Sequence, residues 1–157
     1  MFYSKKVLSH FKNPKNYGRM NNPSGIGEVG NPVCGDMMTL YIKVGKNKKG
    51  EEIISDVKFQ TFGCVAAIAV SSAATETLKG KTLEEAQILT GRKVIDSLGG
   101  LPTIKKHCSM LAIDALSEAI YDYFKENNRP IPKRLQVKHK AVIKEEELIK
   151  KKFGESK

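Results

Sequence analysis

The hydrophobic period of this chain changes at Phe62-Gly63-Cys64, and that change limits the folds open to it. Upstream, Met38, Leu40, Ile42 and Val44 alternate with Met37, Thr39, Tyr41 and Lys43. After the polar run Gly45-Lys46-Asn47-Lys48-Lys49-Gly50, Ile53, Ser55, Val57 and Phe59 alternate with Ile54, Asp56, Lys58 and Gln60. A two-residue period marks a strand with one buried face, so these runs predict an antiparallel hairpin. Downstream the spacing becomes three and four. Cys64 to Leu78 is Ala-rich, with Val65, Ile68 and Ser72 at helical spacing, and Gly80 ends it. Thr82 with Glu85 three residues on is a capping box opening a helix that Thr90-Gly91 closes, and a short turn of helix follows through Val94, Ile95 and Leu98. From Ile104 through Cys108, Leu111, Ala112, Ala115, Leu116, Ala119 and Ile120 to Tyr123 one face of a long helix is apolar. Strands followed by helices predict an α+β fold, a small antiparallel β-sheet of about three strands covered on one face by helices.

Two flanking regions complete the layout. Val7, Leu8 and Phe11 share one side of a short helix over residues 3–12, stopped at Asn13-Pro14 because the residue before proline avoids helical angles. Lys15 to Val33, rich in Gly, Asn and Pro, reads as a loop with at most a short edge strand near Ile26 to Val29. Pro130 and Pro132 separate the long helix from a charged tail. The expected organisation is one domain over 1–128 and a basic tail over 129–157, helical or disordered, outside the periodic core.

A length of 157 residues with 40% hydrophobic content suffices for a single core without disulfides. No apolar run approaches the roughly 20 residues of a membrane span, and the N-terminus leads into an amphipathic segment, so the expected location is cytoplasmic. Three cysteines without secretory context favour reduced or metal-bound thiols over a disulfide framework. The net charge is +10, and Lys125 to Lys157 holds eleven Lys or Arg against five Glu. Such a tail suits an acidic protein surface or nucleic acid. The second is the weaker reading, since nucleic-acid surfaces interleave aromatics with charge and the stretch beyond the prolines has only Phe153.

The chemistry concentrates at element ends. Cys34 lies in Asn31-Pro32-Val33-Cys34-Gly35-Asp36, where Pro and Gly mark a turn, and Asp36 shares its side if a strand has begun. Cys64 opens a helix, where the dipole and open N–H groups favour a thiolate, which makes it the best candidate nucleophile. His107 and Cys108 are neighbours that reach one point only from a helix's first turn, which Pro102 places nearby. A lone cysteine is more often a small buried hydrophobe, a lone histidine beside lysines a surface group, and Asp36 a turn cap. Yet all three cysteines stand at loop-to-element junctions, two with a second donor within two residues, which favours one shared site. Three thiolates with an oxygen or nitrogen ligand suit zinc or an iron-sulfur centre. The spacing matches neither a zinc ribbon nor a ferredoxin. Three soft ligands and a hard carboxylate would hold a cluster less firmly than four cysteines, as suits a protein that passes it on.

These segments are recognisable. Asn31-Pro32-Val33-Cys34-Gly35-Asp36, Gln60-Thr61-Phe62-Gly63-Cys64 and Leu101-Pro102-Thr103-Ile104-Lys105 running into His107-Cys108-Ser109 resemble the signature segments of iron-sulfur cluster assembly scaffolds of the IscU type and the N-terminal domain of NifU. Lys12-Asn13-Pro14-Lys15-Asn16 and the opening helix extend the resemblance to about residues 3–125. It implies a non-enzymatic scaffold on which a [2Fe-2S] cluster is built from iron and from persulfide sulfur supplied by a cysteine desulfurase, then passed to apo iron-sulfur acceptor proteins. By matching position, Cys34, Cys64 and Cys108 would be ligands, with Asp36 or His107 the fourth. Lys105 would belong to the active-site edge, and Cys64 or Cys108 would accept sulfur. The resemblance admits zinc in the apo form, and as further partners a ferredoxin, a frataxin-like protein, an Hsp70-type chaperone and a second copy of the chain.

Departures exist: Val65-Ala66 follows Cys64 where the family has Gly-Ser, and Leu101-Pro102-Thr103-Ile104-Lys105 differs from the usual Leu-Pro-Pro-Val-Lys. The insertion typical of zinc-binding SufU relatives is absent. A zinc-dependent sulfur-relay protein using the same residues is the alternative function, and a nucleic-acid-binding module resting on the tail's charge is the third.

Overall fold

A computed structural model of the chain describes residues 3–30, 35–149 and 151. Strands β1 (Gly25–Gly30), β2 (Met37–Lys46) and β3 (Glu52–Phe62) form an antiparallel sheet in sequence order. Leu40 lies between Gly27 on one side and Phe59 on the other. Helix α1 (Lys5–Lys12) precedes the sheet. After it come α2 (Val65–Leu78), α3 (Leu83–Gln87), α4 (Gly91–Ser97), a 3-10 turn (Thr103–Lys105), α5 (Cys108–Glu126) and α6 (Lys133–Ile149). α5 packs on β1 and β2 and α2 on β3, so the helices cover one sheet face, as the α+β pattern predicts.

The register carries one surprise. Ile54, Val57 and Phe59 are all fully buried although strict alternation puts Ile54 on the face opposite the other two. Lys43 pairs with Asp56 and Val44 with Ile54, so Ser55 is an extra, exposed residue that switches the strand's parity. The face read from Ile53, Ser55, Val57 and Phe59 is therefore correct only beyond the bulge. Two helix readings also shift. The Thr82 capping box forms with both bonds, but the helix it opens is five residues long, and Thr90 closes nothing: its side chain accepts from Lys93 N and caps α4. In α2, Val65 and Ile68 are only half-buried, whereas Ala66, Ala67, Ala69, Val70 and Ser72 are fully buried. α2 contacts α1, β3, α4 and α5, so nearly every side is covered and small residues carry the packing.

Sheet and long helix meet at unusually short range. A Cβ on Gly27 would stand 2.0 Å from the Ala115 carbonyl oxygen, and one on Gly25 2.2 Å from that of Ala119. Neither glycine has positive φ, so backbone conformation does not require them; close approach does. The loop before β1 is tied to α2: Ser72 Oγ accepts from Lys15 N at 2.7 Å and bonds His10 Nδ1 at 2.7 Å, and Asn16 Nδ2 donates to Thr75 Oγ1 at 3.1 Å. Ser4 caps α1 and donates to Leu98 O, fastening that helix beside α4.

The C-terminal segment corrects one expectation. Beyond Pro132 the described tail is helical, and it reaches the core, with Leu135 and Val142 1% and 6% exposed. Single-sequence reading missed this because the charges between these two apolar residues mask their seven-residue spacing. Arg129 prepares the turn, donating to Glu52 Oε1 at 2.6 Å and lying over the Phe124 ring. α6 then runs back along α5. His139 bonds Glu118 at 2.7 Å and stacks on Tyr121 at 3.8 Å, while Glu145 and Lys138 face Asp114. Burial, reinforced by Glu145, opposed by Lys138 and reinforced again by Glu118, pushes the Asp114 carboxyl up to about 6. Burial also raises Glu118, although the His139 hydrogen bond pulls it back.

Two outcomes follow. Gly27→Ala should destabilise the protein by about 2–3 kcal/mol, since a methyl cannot enter the seam without separating strand from helix, read as a lower urea midpoint. Asp114 titrates at about 6 when folded against an ordinary 3.8, so the native state holds its proton longer and stability falls as pH rises from about 4 to 6. Asp114→Asn should therefore stabilise at pH 8 by about 1–2 kcal/mol, the linkage value discounted because part of the carboxyl stays wet, and have no stabilising effect at or below about pH 4. Denaturation at both pH values measures it.

Candidate metal centre

Three element ends converge at one edge of the sheet: the residue before β2, the β3–α2 junction and the start of α5. Asp36, 8% exposed, stands one residue ahead of β2. Cys64 is the N-cap residue of α2, half-buried, with no side-chain cap bond, so the sulfur stays available for other chemistry beside open backbone N–H groups. Cys108 opens α5 and is 1% exposed, held in the cluster of Val7, Ala66, Val70, Leu101 and Ala112.

The Cys64 and Cys108 sulfurs are 3.7 Å apart, too far to be bonded to each other, and Cys64 Sγ lies 3.9 Å from Asp36 Oδ2. One carboxylate oxygen and two sulfurs thus lie within 4.8 Å of one another. His107, the N-cap residue of α5, reaches Cys108 Sγ with Nε2 at 3.7 Å but stands outside that group. Lys105, in the 3-10 turn, edges the site. The negative sulfur of Cys64 raises its ammonium above the ordinary value, desolvation opposes, and Cys108, Tyr3 and Asp36 add to the rise.

Of the candidate residues, the structure brings together Asp36, Cys64 and Cys108 and sets His107 and Lys105 beside them. Cys34 lies outside the described residues, as do Asn31 to Val33. Two sulfurs and a carboxylate form a mixed soft and hard donor set suited to thiophilic cations such as zinc or iron.

Sequence reading missed two features. Ile104, assigned to the buried helix face, is 66% exposed because the chain there is a 3-10 turn ahead of α5. Met37, Phe62 and Met110, each within two positions of Asp36, Cys64 or Cys108 in sequence, are also exposed, Phe62 to 84%. The second feature is Gly63, which touches Asp36 and Ala67, and no periodicity marks it.

Known proteins match this chain over most of its length. The profile of the NifU-like N terminal domain matches residues 2–130. The chain is 58% identical over 127 residues to iron-sulfur cluster assembly scaffold protein IscU 1 of Archaeoglobus fulgidus, covering 81% of this chain and 80% of that protein. It is 50% identical over 126 residues to the IscU scaffold protein of Azotobacter vinelandii, covering 78% and 94%. In fold it is similar to the crystal structure of the N-terminal part of a NifU-like protein from Brucella abortus, with a TM-score of 0.60, 17% identity, and coverage of 78% of this chain and 94% of that one. The chain therefore belongs to the IscU and NifU N-terminal domain family of iron-sulfur cluster assembly scaffolds.

Proposed function

We propose that this protein is a scaffold on which a [2Fe-2S] cluster is assembled from iron, persulfide-derived sulfur and electrons from a ferredoxin-type donor that reduce that sulfur to sulfide, and then handed to apo-proteins. The observation that carries the reading is the group of Asp36 Oδ2 and the Cys64 and Cys108 sulfurs within 4.8 Å at one sheet edge. In this reading Cys34, two positions before Asp36 in the sequence, adds the third thiolate. Asp36 is better placed than His107 to be the fourth ligand, since its carboxylate lies within 4.8 Å of both sulfurs whereas His107 stands outside that group. A carboxylate is a harder ligand than thiolate and so exchanges more readily with an acceptor's thiol, as handover requires. His107, against Cys108, is the fallback donor.

Sulfur enters by thiol chemistry. A cysteine thiolate attacks the outer sulfur of the donor's persulfide, the donor's S–S bond breaks, the outer sulfur stays on the attacking cysteine, and the donor leaves as a thiolate. Cys64 is the more accessible of the two described sulfurs and Lys105 stabilises its charge; Cys108 lies 3.7 Å away to receive sulfur in turn. The donor in this reading is a cysteine desulfurase, and the basic C-terminal helix favours a partner with an acidic surface. The site serves assembly and transfer, not turnover of a small substrate. No described helix is long and apolar enough to cross a membrane, and a cytoplasmic location is part of the proposal.

The test is anaerobic reconstitution with ferrous iron, a cysteine desulfurase, cysteine and a thiol reductant that reduces the persulfide sulfur to sulfide, followed by iron and sulfide analysis and a visible spectrum. Equal iron and sulfide with visible absorption is expected; colourless protein holding only zinc would overturn the cluster reading in favour of a zinc-dependent sulfur relay. Cys34→Ala, Cys64→Ala and Cys108→Ala should each lose stable visible absorbance. Of the two described cysteines, Cys108→Ala should also lower stability, by roughly 1 kcal/mol, because its sulfur fills buried volume beside Ala112.

A further inference from the structure

Gly63 precedes Cys64 at the end of β3, and its φ lies outside the left-handed region, so nothing in its backbone conformation calls for glycine. What surrounds it does. A Cβ built at this position would stand 2.8 Å from Ala67 Cβ, 3.0 Å from Asp36 Oδ2 and 3.1 Å from Asp36 Cγ. The 2.8 Å approach to Ala67 cannot be sustained and the carboxylate at 3.0–3.1 Å is tighter than ordinary contact, so the strain of a methyl here falls on whichever neighbour can yield. Ala67 cannot: it has no rotatable side chain, is fully buried, and belongs to a helix packed against other elements on nearly every side. Asp36, although itself only 8% exposed, has two rotatable side-chain bonds, so its carboxylate can yield where a methyl on a packed helix cannot.

We propose that Gly63 is the positioning residue for the Asp36 carboxylate: the hydrogen in place of a side chain leaves the slot in which Oδ2 rests against the start of α2, 3.9 Å from Cys64 Sγ. The inference rests on the proposal that Asp36 is a metal ligand and deepens it, since a side chain at 63 would leave every ligand in the chain and still displace the carboxylate from its coordination position. The ligand concerned is a thiophilic divalent cation held by thiolates and this carboxylate.

The test uses the full chain under anaerobic conditions with Co²⁺ alone as the probe. Near-ultraviolet absorption reports thiolate coordination, and the visible ligand-field bands report ligand number and geometry. Gly63→Ala and Asp36→Ala should weaken Co²⁺ binding alike, by about tenfold, the size usual for groups that orient a ligand, and shift the ligand-field bands in the same way. Asp36→Ala/Gly63→Ala should bind within about twofold of either single variant, because the methyl acts only through the carboxylate. Gly63→Ala/Ala67→Gly should stay as weak as Gly63→Ala. Additive losses, or recovery on Ala67→Gly, would place the effect in α2 and overturn the inference. If Gly63→Ala does not fold by circular dichroism, adding Asp36→Ala should restore folding, and continued unfolding would overturn it too. Should Asp36→Ala bind Co²⁺ like the unmodified protein, the ligand reading fails and this inference with it. Should Asp36→Ala weaken binding while Gly63→Ala does not, the inference alone falls.

Discussion

The contact of β1 with α5 sets the geometry on which the rest depends. Gly25 and Gly27 lie directly against the Ala119 and Ala115 carbonyls, so strand and helix backbones touch with no side chain between them. That seam fixes the height of α5 above the sheet and its position along it. Cys108, Ala112, Ala115 and Ala119 recur at helical spacing, and Cys108 precedes Ala115 by two turns, about 10 Å along the axis. Anchoring the alanines therefore anchors the sulfur. Because β1 pairs with β2 and β2 with β3, the same seam references the residue before β2 and the end of β3 to the helix.

The site is the consequence of that frame. Each described donor lies where an element begins: Cys64 and Cys108 at helix starts, where backbone N–H groups are open, and Asp36 just ahead of a strand. The two sulfurs differ in their surroundings: Cys108 is enclosed by alanines and leucines, Cys64 opens toward solvent. An assembly site needs both conditions, one sulfur reachable by a donor protein and one held in place. The apolar residues left exposed beside these positions, Phe62 foremost, are costly in water and are what a large partner would cover.

The last helix adds a different kind of packing. Leu135 and Val142 extend the core cluster of α5 and the sheet, and the Glu118–His139–Tyr121 contacts hold α6 along α5 through ionisable groups. Carboxyls at 114 and 118 are driven toward their neutral forms by this enclosure, so α6 is seated at some electrostatic cost. The family profile ends at residue 130, before this helix starts, so α6 is an addition to the shared domain.

Much of this was legible in the chain alone. Periodicity determined strands before helices, the edge strand near Ile26, the Thr82 cap and the long helix, because local hydrogen bonding and one-sided burial dictate those patterns. Cys64 and Cys108, each at the start of a helix, already pointed to one site, and the two sulfurs do meet. Tertiary structure decided the rest. The bulge at Ser55 depends on pairing with Lys43 and Val44, so it cannot be read within one strand. Whether Ile104 or Leu135 is buried depends on which elements arrive beside them, and the first proved exposed and the second core. Gly63 matters only because Asp36, 27 positions earlier, folds back onto it. Local sequence sets what each segment can be; which side chains meet across the fold is set by packing between segments far apart in the chain, and the donor cluster is such a meeting.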